Sequence, residues 1–165
     1  MIDSLTPGVT FPPIKKLGFM IPNLGANQLA FYFIKKTNLL LSGKTDYDII
    51  AFYENLHRNV CQPHFSVMQL GEAYNYAAPV VATNVVLADQ LIRMPSPTKK
   101  IFYVWDLDWH RGNYRNYEFF ARIYRHPELT LVARSEYHKI AIENAWNTPV
   151  SAVIEDCDME KFFGI

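Results

Sequence analysis

The chain has 165 residues, half of them apolar, with 11 Phe, 10 Tyr and 3 Trp, and its 16 Lys and Arg balance 16 Asp and Glu. That length suits one domain burying about two-thirds of its unfolded surface around one core, and the composition excludes a disordered or low-complexity chain. A net charge of zero excludes long-range attraction to nucleic acid or an anionic membrane, so any such binding must come from a local patch.

Met1 to Pro13, with three prolines and one glycine among small polar residues, reads as an irregular leader, and residues 14–165 as a single domain. The leader lacks the basic region and apolar run of a targeting segment. No apolar stretch approaches the roughly 18 residues of a membrane span, so a cytoplasmic protein without a membrane partner is expected. Ile14 to Ile21 is a first strand ended by Pro22. Asn27 then caps a buried helix over Leu29 to Leu41, stopped by Gly43. Asp46 to Tyr53 is a second strand, Glu54 to Gln62 a loop, Phe65 to Leu70 a third strand with helix as the alternative, and Glu72 to Ala77 a short turn or helix. Pro79 to Thr83 is a fourth strand, after which Asn84 caps a helix over Val85 to Met94 with Val86, Leu87, Leu91 and Ile92 at helical spacing. Ile101 to Leu107 is a fifth strand. Tyr117 to His126 forms a helix with Phe119, Phe120, Ile123 and Tyr124 on one face, followed by a strand over Leu129 to Ala133. Ser135 and Glu136 open a helix over Tyr137 to Trp146, Val150 to Ile154 is the last strand, and Asp158 to Phe163 a final short helix. Short strands alternating with helices of about ten residues predict an α/β fold, a three-layer sandwich of a mostly parallel sheet with helices on both faces.

The richest stretch is Lys99 to Arg111, where five strand-forming residues, Ile101 to Trp105, break abruptly into Asp106, Asp108, His110 and Arg111. Ligands of open parallel sheets sit beyond the carboxyl ends of strands, which makes this break the first place to look for chemistry. If the strand persists, Asp106 and Asp108 share a face. Their mutual repulsion and the flanking Trp105 and Trp109 would then raise the pKa of one of them, as a general base requires. The bland alternative has Asp106 capping the next segment and Asp108 solvated.

The loop after the first strand, Pro22-Asn-Leu-Gly-Ala-Asn-Gln, has one glycine where the dinucleotide fingerprint needs three, and no Walker lysine, so neither motif is present. It is a tight turn into a helix, or else Asn23, Gly25 and Asn27 line a cleft and meet an anion there. Arg115, Arg122 and Arg125 fall on one broad helical face, a solvated surface or a phosphate-binding stripe, with Tyr114 and Tyr117 as core residues or stacking platforms. Ser135 with His138 three residues on reads first as a cap, and in its functional sense puts Arg134, Ser135 and His138 on the rim of the cleft that holds Asp106. Cys61 and Cys157 are too few and too distant for a disulfide framework or a metal site and read as buried thiols; no metal ligand set is expected.

The segments Lys99 to Asp108, Val132 to His138 and Val150 to Asp156, in this order of strands and helices, resemble the N-terminal Rossmann-like domain of two-domain glycosyltransferases of the GT-B type. They are most similar in character to the DNA-modifying glucosyltransferases of tailed bacteriophages. The resemblance implies that Asp106 or Asp108 takes the proton of an acceptor hydroxyl as it attacks the sugar, Asp106 being preferred because it lies nearer the strand end. On the readings of the loops and strand ends given above, Asn23, Gly25, Asn27, Trp109, His110, Arg111, Arg134, Ser135 and His138 are the residues expected to bind substrate. The donor would be a UDP-sugar with no firmly bound cofactor, held by a C-terminal domain that is either separately encoded or missing because the chain is a fragment. The acceptor would be nucleic acid or a glycan, and a phage-encoded chain would work in the host cytoplasm. A noncatalytic Rossmann-like module recognising a protein or nucleic acid is the alternative; a flavodoxin-like or response-regulator-like domain fits less well, because no acidic pair follows the first strand.

Overall fold

A computed structural model describes residues 12–58, 61–111 and 116–165. The leader up to residue 11, Tyr114 and Arg115 lie outside the described residues. Seven strands, β1 (Lys15–Asn23), β2 (Tyr47–Asn55), β3 (Ser66–Gln69), β4 (Val80–Ala82), β5 (Lys100–Val104), β6 (Leu129–Ala133) and β7 (Ala152–Val153), pair in parallel in the order β3-β2-β1-β4-β5-β6-β7. The helices are α1 (Gln28–Gly43), α2 (Val85–Arg93), α3 (Tyr117–Tyr124), α4 (Glu136–Trp146) and α5 (Met159–Phe162). This is the α/β three-layer, Rossmann-like architecture, with the chain reversing direction across the sheet between β1 and β4.

Alternation along each strand feeds two cores. Leu17, Phe19 and Ile21 of β1 and Ile101 and Tyr103 of β5 pack with Phe33 and Ile34 of α1 and Phe162 of α5. Met20 of β1 and Phe102 and Val104 of β5 pack with Leu87 and Leu91 of α2, Ile123 of α3 and Ile142 of α4. A strand covered on both faces has no solvated side, which is why β5 reads as an unbroken apolar run instead of an alternating one. Stacking of Phe19 on Phe33, with centroids 4.3 Å apart, welds α1 to the sheet, and the buried Thr83 hydroxyl donates to the Met20 carbonyl at 2.9 Å, tying the end of β4 to β1.

The fifth strand ends at Val104, three residues before its expected limit at Leu107. Beyond it the backbone turns, and Asp108–Arg111 forms a 3-10 turn, so the two aspartates do not share a strand face. The short turn or helix expected over Glu72 to Ala77 is a 3-10 turn over Leu70–Asn75. The last strand shrinks to Ala152–Val153, an edge position that pairs with β6 alone. No helix among the described residues is long and apolar enough to cross a membrane.

Candidate functional site

The carboxyl ends of β1, β4 and β5 meet at one edge of the sheet, and a cleft of about 450 Å³ opens there. It lies at the point where the strand order reverses, the location at which open α/β sheets hold ligands, and its volume falls in the range of small-molecule sites. Pro22 closes one side at the end of β1, Thr83 and Asn84 another after β4, and Trp105, Asp106 and Asp108 a third after β5; Asn27 and Gln28 contribute from the start of α1 and Arg111 from the turn after β5.

Local chemistry fixes each wall. After β1 the chain fastens on itself: Asn23 Oδ1 accepts the Gly25 N–H at 2.6 Å, and the Asn23 carbonyl accepts from Asn27 Nδ2 at 2.9 Å. Asn27 Oδ1 in turn accepts the Ala30 N–H at 2.9 Å and caps α1. Gly25 is sterically required, since a Cβ there would stand 2.8 Å from both Asn23 Oδ1 and His57 Cβ. After β4, Asn84 Oδ1 caps α2 through the Leu87 N–H at 2.8 Å.

The two aspartates separate in role. Asp108 Oδ2 accepts the Val85 N–H at 2.9 Å and so adds a second anchor to the start of α2. Burial raises its pKa above the ordinary carboxylate value; the Val85 hydrogen bond opposes that shift, and the neighbouring Asp106 reinforces it. Asp106 remains accessible, its side chain 44% exposed, and lies between two guanidiniums, Arg111 Nη2 at 3.7 Å from Oδ2 and Arg134 Nη1 at 4.0 Å from Oδ1. Arg134 reaches this position from the end of β6 by lying over the ring of Trp105, 4.5 Å from its centroid, a cation–π contact that holds the guanidinium beside Asp106.

Ser135 follows as the cap of α4. Its Oγ accepts the His138 N–H at 3.2 Å and stands 2.8 Å from His138 Nδ1, so the side chain joins the cap to the imidazole. Burial, then the nearby Arg134, lowers the pKa of His138, with Asp106 acting in the opposite direction. The shift favours the neutral imidazole.

Of the residues expected to bind substrate, Asn27 and Arg111 line the cleft with both aspartates, Asn23 and Gly25 shape the loop behind it, and Arg134 reaches Asp106. Trp109 turns instead into the core, edge-on to Tyr124 and Trp146 at 5.1 and 5.4 Å between centroids. His110 is exposed beside Trp109 and does not line the cleft. The basic stripe divides: Arg122 pairs with Asp89 at 2.8 Å, while Arg125 Nε donates to the Trp146 carbonyl at 3.0 Å. Both cysteines are free, Cys157 buried and Cys61 half-buried.

Sequence reasoning missed Gln28 and Thr83 as cleft residues and recognised Asn84 as a cap alone. The signal for them is the strand order, since only adjacency of β1 and β4 brings their loops together. Among the described residues no group of three or more His, Cys, Asp or Glu side chains converges as a metal-ligand set. No protein-family model matches the chain, and no curated protein matches it.

Proposed function

We propose that the chain is the acceptor-side half of a nucleotide-sugar-dependent glycosyltransferase, with Asp106 as its base. The observation that carries this reading is the position of Asp106: an accessible carboxylate just past the end of β5, on the wall of a cleft at the reversal of strand order. In the reaction the acceptor oxygen forms a bond to the anomeric carbon of a UDP-sugar. The bond from that carbon to the diphosphate breaks, UDP leaves with the electron pair, and the acceptor proton passes to Asp106. Donor binding falls to a second, C-terminal domain of the GT-B type, and the acceptor is a hydroxyl of nucleic acid or of a glycan, as in phage modification systems. Asp108 serves this site as a support, because its bond to Val85 fixes the turn that follows Asp106.

The test is transfer from UDP-sugars by the protein, alone and together with a GT-B donor-binding domain, each acceptor class assayed in turn. Asp106→Asn is expected to lower turnover about 10²- to 10⁴-fold, the usual contribution of a positioned base. Unchanged turnover in that variant removes Asp106 from the role.

A second reading, a noncatalytic module that recognises a protein or nucleic acid, draws on one observation: both carboxylates are already engaged, Asp106 by two arginines and Asp108 by a helix terminus. Partner capture that survives substitution of both aspartates, with no UDP-sugar bound, is the result that favours it.

A further inference from the structure

Arg134 is an unusual residue for a structural role. Its side chain is only 30% exposed and its guanidinium is fixed on the Trp105 ring, which itself packs against Tyr32 of α1 at 6.0 Å between centroids. Yet none of its N–H groups makes a hydrogen bond to another described residue, and its approach to Asp106, 4.0 Å, is an ion pair too long for one. Arg111 stands at 3.7 Å from the other oxygen of the same carboxylate, again beyond hydrogen-bond reach. Charge-assisted hydrogen bonds close to about 2.7–2.9 Å when geometry allows, so the Asp106 carboxylate is bracketed by two guanidiniums without satisfying either. The trio carries a formal charge of +1, and the planar fork of arginine suits the oxygens of a phosphate.

We infer that Arg134 and Arg111 form a binding site for the phosphate group of a ligand entering the cleft, and that Asp106 is the internal anion that phosphate displaces from between them. Two guanidiniums facing a phosphate dianion balance its charge, which they do not do with one carboxylate. The same exchange frees the Asp106 carboxylate, and on the reading of Asp106 as base it arms that residue only when the phosphorylated ligand is present. The phosphate can belong to the diphosphate of a sugar donor or to a phosphorylated acceptor, since both offer the same oxyanion.

The probes are inorganic phosphate, pyrophosphate, UDP and a hexose phosphate, titrated calorimetrically into the full chain at constant ionic strength, with uridine and the unphosphorylated hexose as controls. Phosphate-bearing probes are expected to bind and the controls not. Arg134→Ala should weaken binding tenfold or more, about the loss of one charge-assisted contact. Arg134→Lys, which keeps the charge but not the fork, should also weaken it. Asp106→Asn should tighten binding about fivefold, because the competing carboxylate and its repulsion of the incoming anion are gone. Circular dichroism of each variant establishes that it is folded. Preference for UDP assigns the phosphate to the donor and preference for the hexose phosphate assigns it to the acceptor. No binding of any phosphate probe, or weaker or unchanged binding in Asp106→Asn, overturns the proposal. Phosphate binding that depends on Arg134 in a protein with no transfer activity leaves the site standing and removes the glycosyltransferase reading, whereas transfer unaffected by Arg134→Ala does the reverse.

Discussion

Asp108 shows how one carboxylate can be held in place at a cost. Its bond from Val85 N–H favours the ionised form, while burial disfavours it more, and the net shift is upward from 3.8. The sign of the linkage follows. Between 3.8 and the raised folded value the unfolded chain has already lost the proton that the folded chain keeps, so Asp108 destabilises the fold progressively as pH rises through that window, and by a constant amount above it. Asp108→Asn keeps an oxygen for Val85 and removes the titration. Urea denaturation of both proteins from pH 3.5 to 7 should therefore show the wild type losing ground to the variant as pH rises, then a level difference. A wild type that gains on the variant over that range would mean that the Val85 hydrogen bond outweighs burial. Residue spacing made both aspartates visible as candidates, but their division of labour was not legible, because it depends on Val85, 23 positions away in the chain.

The helices of the cleft edge illustrate what local chemistry can determine. Asn27, Asn84 and Ser135 each sit after a strand, each in extended backbone, and each accepts from an N–H three residues on. All three caps are legible from residue type and position alone, since capping is a property of a few consecutive residues. Strand ends were less legible: β5 closes at Val104 although Trp105 and Leu107 continue its apolar character, because past Val104 the chain turns toward α2 to deliver Asp108. The caps differ in what else they hold. Asn84 makes one cap bond, whereas Asn27 also fastens the preceding loop through the Asn23 carbonyl. Asn84→Ala should cost about 1 kcal/mol, and Asn27→Ala about 2 kcal/mol because two hydrogen bonds are lost. Chemical denaturation of the two variants gives the order directly. The reverse order would show that the loop after β1 is held by something other than its own asparagines.

At the scale of the molecule, the decisive fact is adjacency. Alternating strands and helices predict a parallel sheet, but they do not say that β4 crosses to the far side of β1, and that crossing is what makes a cleft from Pro22, Thr83 and Asp106. The strand order also sets a gradient of stability. β1 pairs on both sides, with β2 and β4; β4, although only three residues long, is wholly buried between β1 and β5; and β5 pairs with β4 and β6. The edge strands β3 and β7 each have one partner, and β3 is largely exposed. Opening an edge strand breaks one ladder and uncovers little apolar surface, whereas opening a central strand breaks two ladders and separates both cores. Native-state hydrogen exchange should therefore find the amides of β1, β4 and β5 slowest, close to the global unfolding free energy, and those of β3 and β7 fastest. Exchange in β4 as fast as in β7 would contradict this order. The slow strands are the three whose carboxyl ends carry the cleft, so Asp106 leaves the sheet where the backbone yields least, and a ligand there meets walls already set in place.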